Sequence, residues 1–378
     1  MQEITLTSIV LTICLSVCVF LATLCFRKVS NNQLYDSLDR SSPLDAMRGI
    51  LALSVMTHHF YITYIWKTQG LWQKPANHYL DNLGAVSVSL FFLTTGFLFL
   101  NKIRKPNIDW SELYKSRFKR IVPLFTFVAS IVIAITFITI ERSINDSESL
   151  KFIAKWLLFV GGDIDSFDSR KIIAGVHWSL VYEWGFYLAL PFIFAVLHKK
   201  LPNKILLAFL LIPVLYIFHI THTKLYLLFA LSYLSIFFKD KIKELINRYP
   251  KVLPVIILLL LVFTLIFTRG YSVIQQILLS IIFAFIANGL DLGILKNKGL
   301  KVLGDISYSI YLVHGIVLYT LFSIFNVFDF SNSIFEFITY FPIVFVITVF
   351  SSLLTHKYIE KRFIKPIPSI KKENLLQM

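Results

Sequence analysis

Apolar residues along the chain gather into runs of about membrane length, separated by short polar segments. The runs fall near 4–26, 44–65, 83–100, 121–140, 177–197, 205–220, 225–238, 252–268, 272–290, 306–325 and 334–355. Most approach the roughly 20 residues that a helix needs to cross a hydrocarbon core about 30 Å thick. The pattern predicts an all-α polytopic membrane protein with about eleven transmembrane helices, the run at 225–238 being the weakest of them. The loops test that count. Segment 101–120 carries seven cations, 239–251 carries five and the tail from His356 carries six, whereas 66–82 holds only Lys67 and Lys74, and 326–333 holds none. Cation-rich and cation-poor loops alternate, and a missed or surplus helix would break that alternation. Short loops rich in Lys and Arg stay in the cytoplasm, so the N-terminus is expected outside and the C-terminus inside. The longest loop, 141–176, then lies outside, with five cations against six acids. Residues 151–160 within it read as an interfacial helix.

Composition agrees with this class. Of 378 residues, 56% are hydrophobic and only 16% are charged, against about 25% charged in soluble proteins. Mean hydropathy is +0.71. A net charge of +15 raises nucleic acid as a partner, but the cations sit in the short loops, where topology accounts for them. No nucleic-acid partner is expected. Cys14, Cys18 and Cys25 all lie in the first run, with no metal-ligand spacing and no disulfide framework, so no metal is expected either. That run lacks a basic lead-in (Gln2 and Glu3 precede it) and has the length of a full span, which reads as a retained helix rather than a signal peptide. The organisation is an extra N-terminal helix and linker over 1–39, a membrane domain over 40–365, and a cytoplasmic tail over 366–378.

Ionisable groups inside apolar runs are costly and by default suggest function. The second run holds Arg48, His58 and His59 after Asp45. Arg48 and His59 are about three helical turns apart, so they share one stripe, roughly 16 Å apart along the axis, while His58 points about 80° away. Arg117 and Arg120 share a face at the inner mouth of the fourth run. They read either as positive-inside anchors or as a clamp for phosphates, because arginine offers a planar fork of donors. Glu183 lies about two turns into the fifth run, near Trp178, on the face of Ser179 and Phe186. It is either half of a structural ion pair or part of a reaction site. Ser307, Tyr311 and His314 form a polar stripe on the tenth run, open to reading as interhelical hydrogen bonds. With His59 and Glu183 both expected in the outer half, an economical reading is a reaction across the bilayer. An anionic donor is held inside, and a base works nearer the outside.

Several of these stretches, in this order, resemble the acyltransferase-3 family of integral membrane acyltransferases, which includes bacterial O-antigen and exopolysaccharide O-acetyltransferases. Leu44-Asp45-Ala46-Met47-Arg48-Gly49 with His59 is similar to the family's arginine-x10-histidine motif. Phe91 to Phe97 resembles its second-helix signature, and Arg117-Phe118-Lys119-Arg120 its R-x-x-R element. Trp178 to Tyr187 resembles W-S-L-x-x-E-x-x-F-Y, and Leu303 to His314 resembles L-G-x-x-S-Y-x-x-Y-L-x-H. The resemblance covers about 40–365. Glycine is common where Ala46 stands, and the closing glutamate-basic-proline appears as Glu360-Lys361-Arg362 without the proline.

The resemblance implies a ten-helix core in the bacterial cytoplasmic (inner) membrane, to which the first run is extra. It implies an O-acyltransferase that moves an acyl group, usually acetyl, from cytoplasmic acyl-CoA to a sugar hydroxyl. The acceptor would be a lipid-linked or polymeric envelope glycan such as O-antigen of lipopolysaccharide, capsule or exopolysaccharide. Acetyl-CoA is then a co-substrate, with no permanently bound cofactor. His59 is the implied catalytic residue, and Arg117 and Arg120, with Arg48, are implicated with the acyl donor. On this reading Glu183 orients His59 or stabilises its cation, while His59 acts either as general base or as a nucleophile that carries the acyl group. A polytopic transporter or flippase for a lipid-linked glycan is the alternative. It explains intramembrane charge equally well, but not the ordered motifs.

Overall fold

The computed structural model describes residues 6–29, 43–142, 144, 146–199 and 204–364. The expected boundary at 39/40 and the tail at 366–378 lie outside the described residues. Each of the eleven apolar runs is helical. They comprise α1 (Leu6–Val29), α2 (Pro43–Gln69), α3 (His78–Ile103) and α4 (Trp110–Thr139), then, beyond the outer-loop helix α5 (Ser147–Leu157), α6 (Trp178–His198) and α7 (Lys204–Ile220). The short run at 225–238 is split into α8 (Tyr226–Leu231) and α9 (Tyr233–Phe237). An amphipathic connector, α10 (Lys239–Arg248), leads to α11 (Val252–Phe267) and α12 (Val273–Ala287). The chain closes through α13 (Lys298–Asp305), α14 (Ser307–Tyr319), α15 (Ile334–Ile338) and α16 (Phe341–Thr355), the last running into a π-turn at His356–Glu360.

Among the described residues, six helices are long and apolar enough to cross a membrane, and up to eight if each of two bent pairs is one span. The difference from eleven has local causes. α7 meets the helices after it at 107°, and α10 meets α11 at 114°. α12 has only 15 residues. α2 is 27 residues long but carries Asp45, Arg48 and Lys67.

α2 is the central element, packed against α3, α13 and α14. Its residues from Leu51 to Thr57 are all buried, so the helix is enclosed on every side rather than along one stripe. Two glycines let the backbones meet where α2 crosses α13. A Cβ at Gly304 would stand 1.8 Å from the Asp45 carbonyl oxygen, and one at Gly49 would stand 2.8 Å from Leu303. Arg48 lies between these contacts in sequence, so the crossing fixes its helix turn. At the other end of α3, Asn82 donates to the carbonyls of Leu265 and Thr268 at 2.9 and 2.8 Å, while Gln275 donates to its Oδ1 at 2.8 Å. This buried network ties α3 to α11 and α12.

The loop between α4 and α6, expected outside, is structured over its described residues. Phe152 and Trp156 of α5 are buried, so the helix expected at 151–160 packs inward, on α4. A two-residue hairpin pairs Asp163 with Asp168, and the following turn, Ser169–Ile173, lies on α14. Arg142 joins Asp146, Glu148 and Asp165 at 3.0, 2.9 and 2.5 Å. Asp146 also caps α5, and the Ser149 amide together with Arg142 holds its carboxyl below the usual carboxylate range.

Candidate functional site

Two cavities lie along one side of α2. The one at the Arg48 end, called the inner cavity after the expected orientation, is about 120 Å³ and is lined by Arg48, Arg117, Arg120, Glu183, Ser307 and Tyr311 among others. Arg117 and Arg120 reach it together because they are one turn apart on α4. The Arg117 guanidinium lies over the Phe99 ring at 4.9 Å and donates to Ser116 at 3.1 Å. Arg120 stands 3.3 Å from Glu360, whose side chain is fully buried. Glu360 also accepts a hydrogen bond from Ser309 and lies 3.4 Å from His356. The Glu183 carboxylate accepts from Thr95 and Tyr187, each at 3.2 Å. Three guanidiniums and one carboxylate, Glu183, line the cavity wall, so the wall favours an anion. The Ser307 hydroxyl is buried without a hydrogen-bond partner among the described residues, and it lines this space.

The outer cavity, about 70 Å³, is lined by His58, His59, Asp81, Trp178, Tyr271 and Tyr311. Val88 and Tyr311 line both cavities, and so stand between them. Tyr311 is fixed there, donating to the Val176 carbonyl at 3.2 Å and paired with Ser179 at 2.8 Å. His314, one turn beyond Tyr311, lies 3.1 Å from His59 through Nε2 and Nδ1. The hydrogen bonds assign the protons. His314 Nδ1 is 3.0 Å from the Ile310 carbonyl, which can only accept, so that nitrogen carries hydrogen. Nε2 of His314 is then an acceptor, and His59 donates to it from Nδ1. The lone pair of His59 is therefore on Nε2. His58 is tied differently, since its Nδ1 donates to the Leu80 carbonyl at 2.8 Å. Its ring also fills the space left by Gly84, where a Cβ would come within 2.8 Å.

The sequence candidates divide between these spaces. Arg48, Arg117, Arg120, Glu183 and Ser307 meet in the inner cavity, and His58, His59 and Trp178 meet in the outer. Tyr311 bounds both, and His314 backs His59. Asp45 lines neither cavity. Glu183 departs from expectation. It lies on the arginine side of Tyr311, and it is His314 that touches His59. Helical phase gave the face of α6 that bears Glu183 but not which neighbouring helix it meets.

Two residues escaped the sequence reading. Glu360 carried little weight because its motif lacks the proline, yet it is the buried partner of Arg120. Asp81 stands in the first turn of α3, a place where an acid is explained by the helix dipole alone. No sequence signal separates that role from its place in the outer cavity.

Comparison with known proteins bears on the same segment. The chain is similar to O-acetyltransferase OatA of Staphylococcus aureus strains NCTC 8325 / PS 47, COL and MRSA252, at 23% identity over 175 residues. That match covers 43% of this chain and only 26% of the relative's length. No solved structure matches. The family model described as an acyltransferase domain matches residues 43–357, a span holding both cavities and every residue assigned to them except Glu360. The chain belongs to the acyltransferase-3 family of membrane proteins.

Proposed function

We propose that the protein is a membrane O-acyltransferase that transfers an acetyl group from acyl-CoA to a hydroxyl of an envelope glycan. The observation that carries this is the pair of cavities on either side of Val88 and Tyr311, with an excess of arginine lining one and the lone pair of His59 at the other. In the proposal all eleven apolar runs cross the bacterial cytoplasmic membrane, with the N-terminus outside, so the arginines face the cytoplasm. Arg117, Arg120 and Arg48 hold the phosphates of acyl-CoA, which pair well with guanidinium forks. The thioester arm passes Tyr311. His59 Nε2 removes the proton from the acceptor hydroxyl as its oxygen attacks the thioester carbonyl. The carbon–sulfur bond breaks, and the leaving thiolate takes the proton from His59. His314, accepting from Nδ1, steadies the imidazolium between the two proton transfers. The alternative acyl-histidine route uses the same Nε2 lone pair.

The test compares envelope glycan from expressing cells carrying wild-type or His59→Ala protein, with ester-linked acetyl measured by mass spectrometry. Ester present with wild type and absent with the variant is the expected result. Equal ester in both sinks the assignment. A transporter would change the amount or location of glycan and leave its ester content alone.

A further inference from the structure

Beside His59 stands a group of side chains that the chemistry above does not use. The Trp72 ring, in the segment after α2, lies 6.4 Å from the His59 ring and within 18° of parallel. Trp66 meets Trp72 edge-on at 5.4 Å and stacks on Tyr319 at 6.2 Å. Two ammonium groups lie over Trp66, Lys67 Nζ at 4.9 Å and Lys171 Nζ at 5.3 Å. One comes from α2 and the other from the outer loop, so two separate segments converge. Neither lysine forms an ion pair among the described residues. The acids of the outer loop are already engaged, Asp163 and Asp168 by Arg170 at 3.2 and 2.8 Å, and Asp165 by Arg142. Trp66, Lys67, Trp72 and Lys171 are all half-buried, so part of each remains accessible.

An interfacial aromatic belt turns its rings to the headgroups of the lipid. These rings instead face one another and the reactive histidine. An indole face is apolar enough to take the C–H face of a pyranose, and paired ammonium groups take an anion. We propose that this mouth is the acceptor subsite and that it selects an anionic saccharide. The sugar ring rests on Trp72, its carboxylate or phosphate sits at Lys67 and Lys171, and an uncharged hydroxyl points to His59. Asp81 enforces that orientation, because it lines the cavity with His59 and repels an anion that enters further. The inference rests on the acyl-transfer reading and specifies its acceptor.

The experiment uses the full chain in membrane vesicles, with labelled acetyl-CoA and the native envelope glycan as probes. Lys67→Gln with Lys171→Gln should raise the glycan concentration for half-maximal rate about tenfold, as loss of a charged contact predicts. The acetyl-CoA requirement should not change. Lys67→Arg with Lys171→Arg should restore glycan affinity. Carbodiimide–borohydride reduction of the glycan removes carboxylates, and cold hydrofluoric acid removes phosphodiesters. One of these treatments should impair wild type and leave the glutamine variant unaffected, which identifies the anion. In a second arm, glycan binding is followed by tryptophan fluorescence in detergent, with Trp72→Phe expected to weaken it. Wild-type transfer with unchanged glycan dependence in the lysine variants overturns the subsite, as does indifference of wild type to both treatments. Binding without any transfer by wild type instead overturns the reaction and leaves the anionic subsite standing.

Discussion

Replacing His314 by leucine removes the acceptor of the His59 Nδ1 hydrogen bond while keeping an apolar side chain in a fully buried site. Leaving a buried donor without its partner costs about 1–3 kcal/mol, which corresponds to roughly 5- to 150-fold in rate. What is lost is the acceptor that strengthens as His59 becomes an imidazolium, and kcat for acetyl transfer should fall about tenfold, within that range. The acetyl-CoA KM should stay within about twofold, because the interaction removed belongs to the transition state and lies outside the arginine cavity. His314→Gln supplies a carbonyl oxygen at similar reach and should recover most of the rate. The assay is acetyl transfer in vesicles, with kcat and KM separated and folding checked by a thermal melt. A leucine variant that folds and keeps kcat within about twofold of wild type refutes the pairing. Equal losses in the leucine and glutamine variants reduce His314 to packing.

Three further outcomes follow from other contacts. Glu360→Gln leaves Arg120 without its buried carboxylate, and breaking such a pair costs about 3–5 kcal/mol where both groups are buried. Arg120 is 23% exposed, so a smaller loss is expected, read as a raised acetyl-CoA KM with the glycan KM unchanged. An unchanged acetyl-CoA KM would show that Glu360 does not position the guanidinium. Gly304→Ala forces a methyl into the Asp45 carbonyl and should lower stability by at least the 1–3 kcal/mol typical of overpacking, seen as a lower thermal midpoint in detergent. An undiminished midpoint would contradict the close crossing of α2 and α13. Asp146 contributes stability above the unfolded carboxyl pKa, near 3.9, because its folded value lies lower. That contribution is lost as pH falls through the folded value. Trp156, buried in the same outer loop, should therefore change fluorescence only in strong acid, and Asp146→Asn should remove part of that transition. A transition identical in the variant would separate Asp146 from the acid response.

The residues around the two cavities are legible in the sequence where a costly residue sits on a regular helix. Arg48 and His59 declare themselves because an arginine and a histidine in an apolar run have few structural uses, and 3.6-residue periodicity sets them on one stripe. The same periodicity aligned Ser307, Tyr311 and His314, which the structure distributes in that order from the inner cavity to His59. What periodicity omits is the angle between helices. Their depth along the helices sets Glu183 and His59 in the same half of the membrane, but packing sends the Glu183 carboxylate to Thr95 and Tyr187. Crossing number was hard to read for a related reason. Hydropathy marks α7 and α8–α9 as two runs, while the 107° bend between them is set by tertiary contacts. Trp66 and Trp72 look like ordinary interface residues in sequence, and only their mutual packing beside His59 distinguishes them.

Placing the anion site and the base on one helix has a mechanical consequence. Arg48 and His59 are held at a separation of roughly 16 Å by backbone hydrogen bonds alone, with no loop between them to adjust. The glycine crossing of α2 with α13 anchors the Arg48 end, and the His314 contact anchors the other. On the acyl-CoA reading, a phosphate that followed the acyl group past Val88 and Tyr311 would leave the guanidiniums for a cavity lined by Asp81 and, among the described residues, by no arginine or lysine, where a buried charge is left unpaired. A neutral thioester arm meets no such barrier. In the proposed reaction charge would therefore sort the two substrates, with the donor's anion held at the arginines and only its acyl end presented to Nε2 of His59. On that reading the selectivity would arise from where α2 places its two ionisable groups.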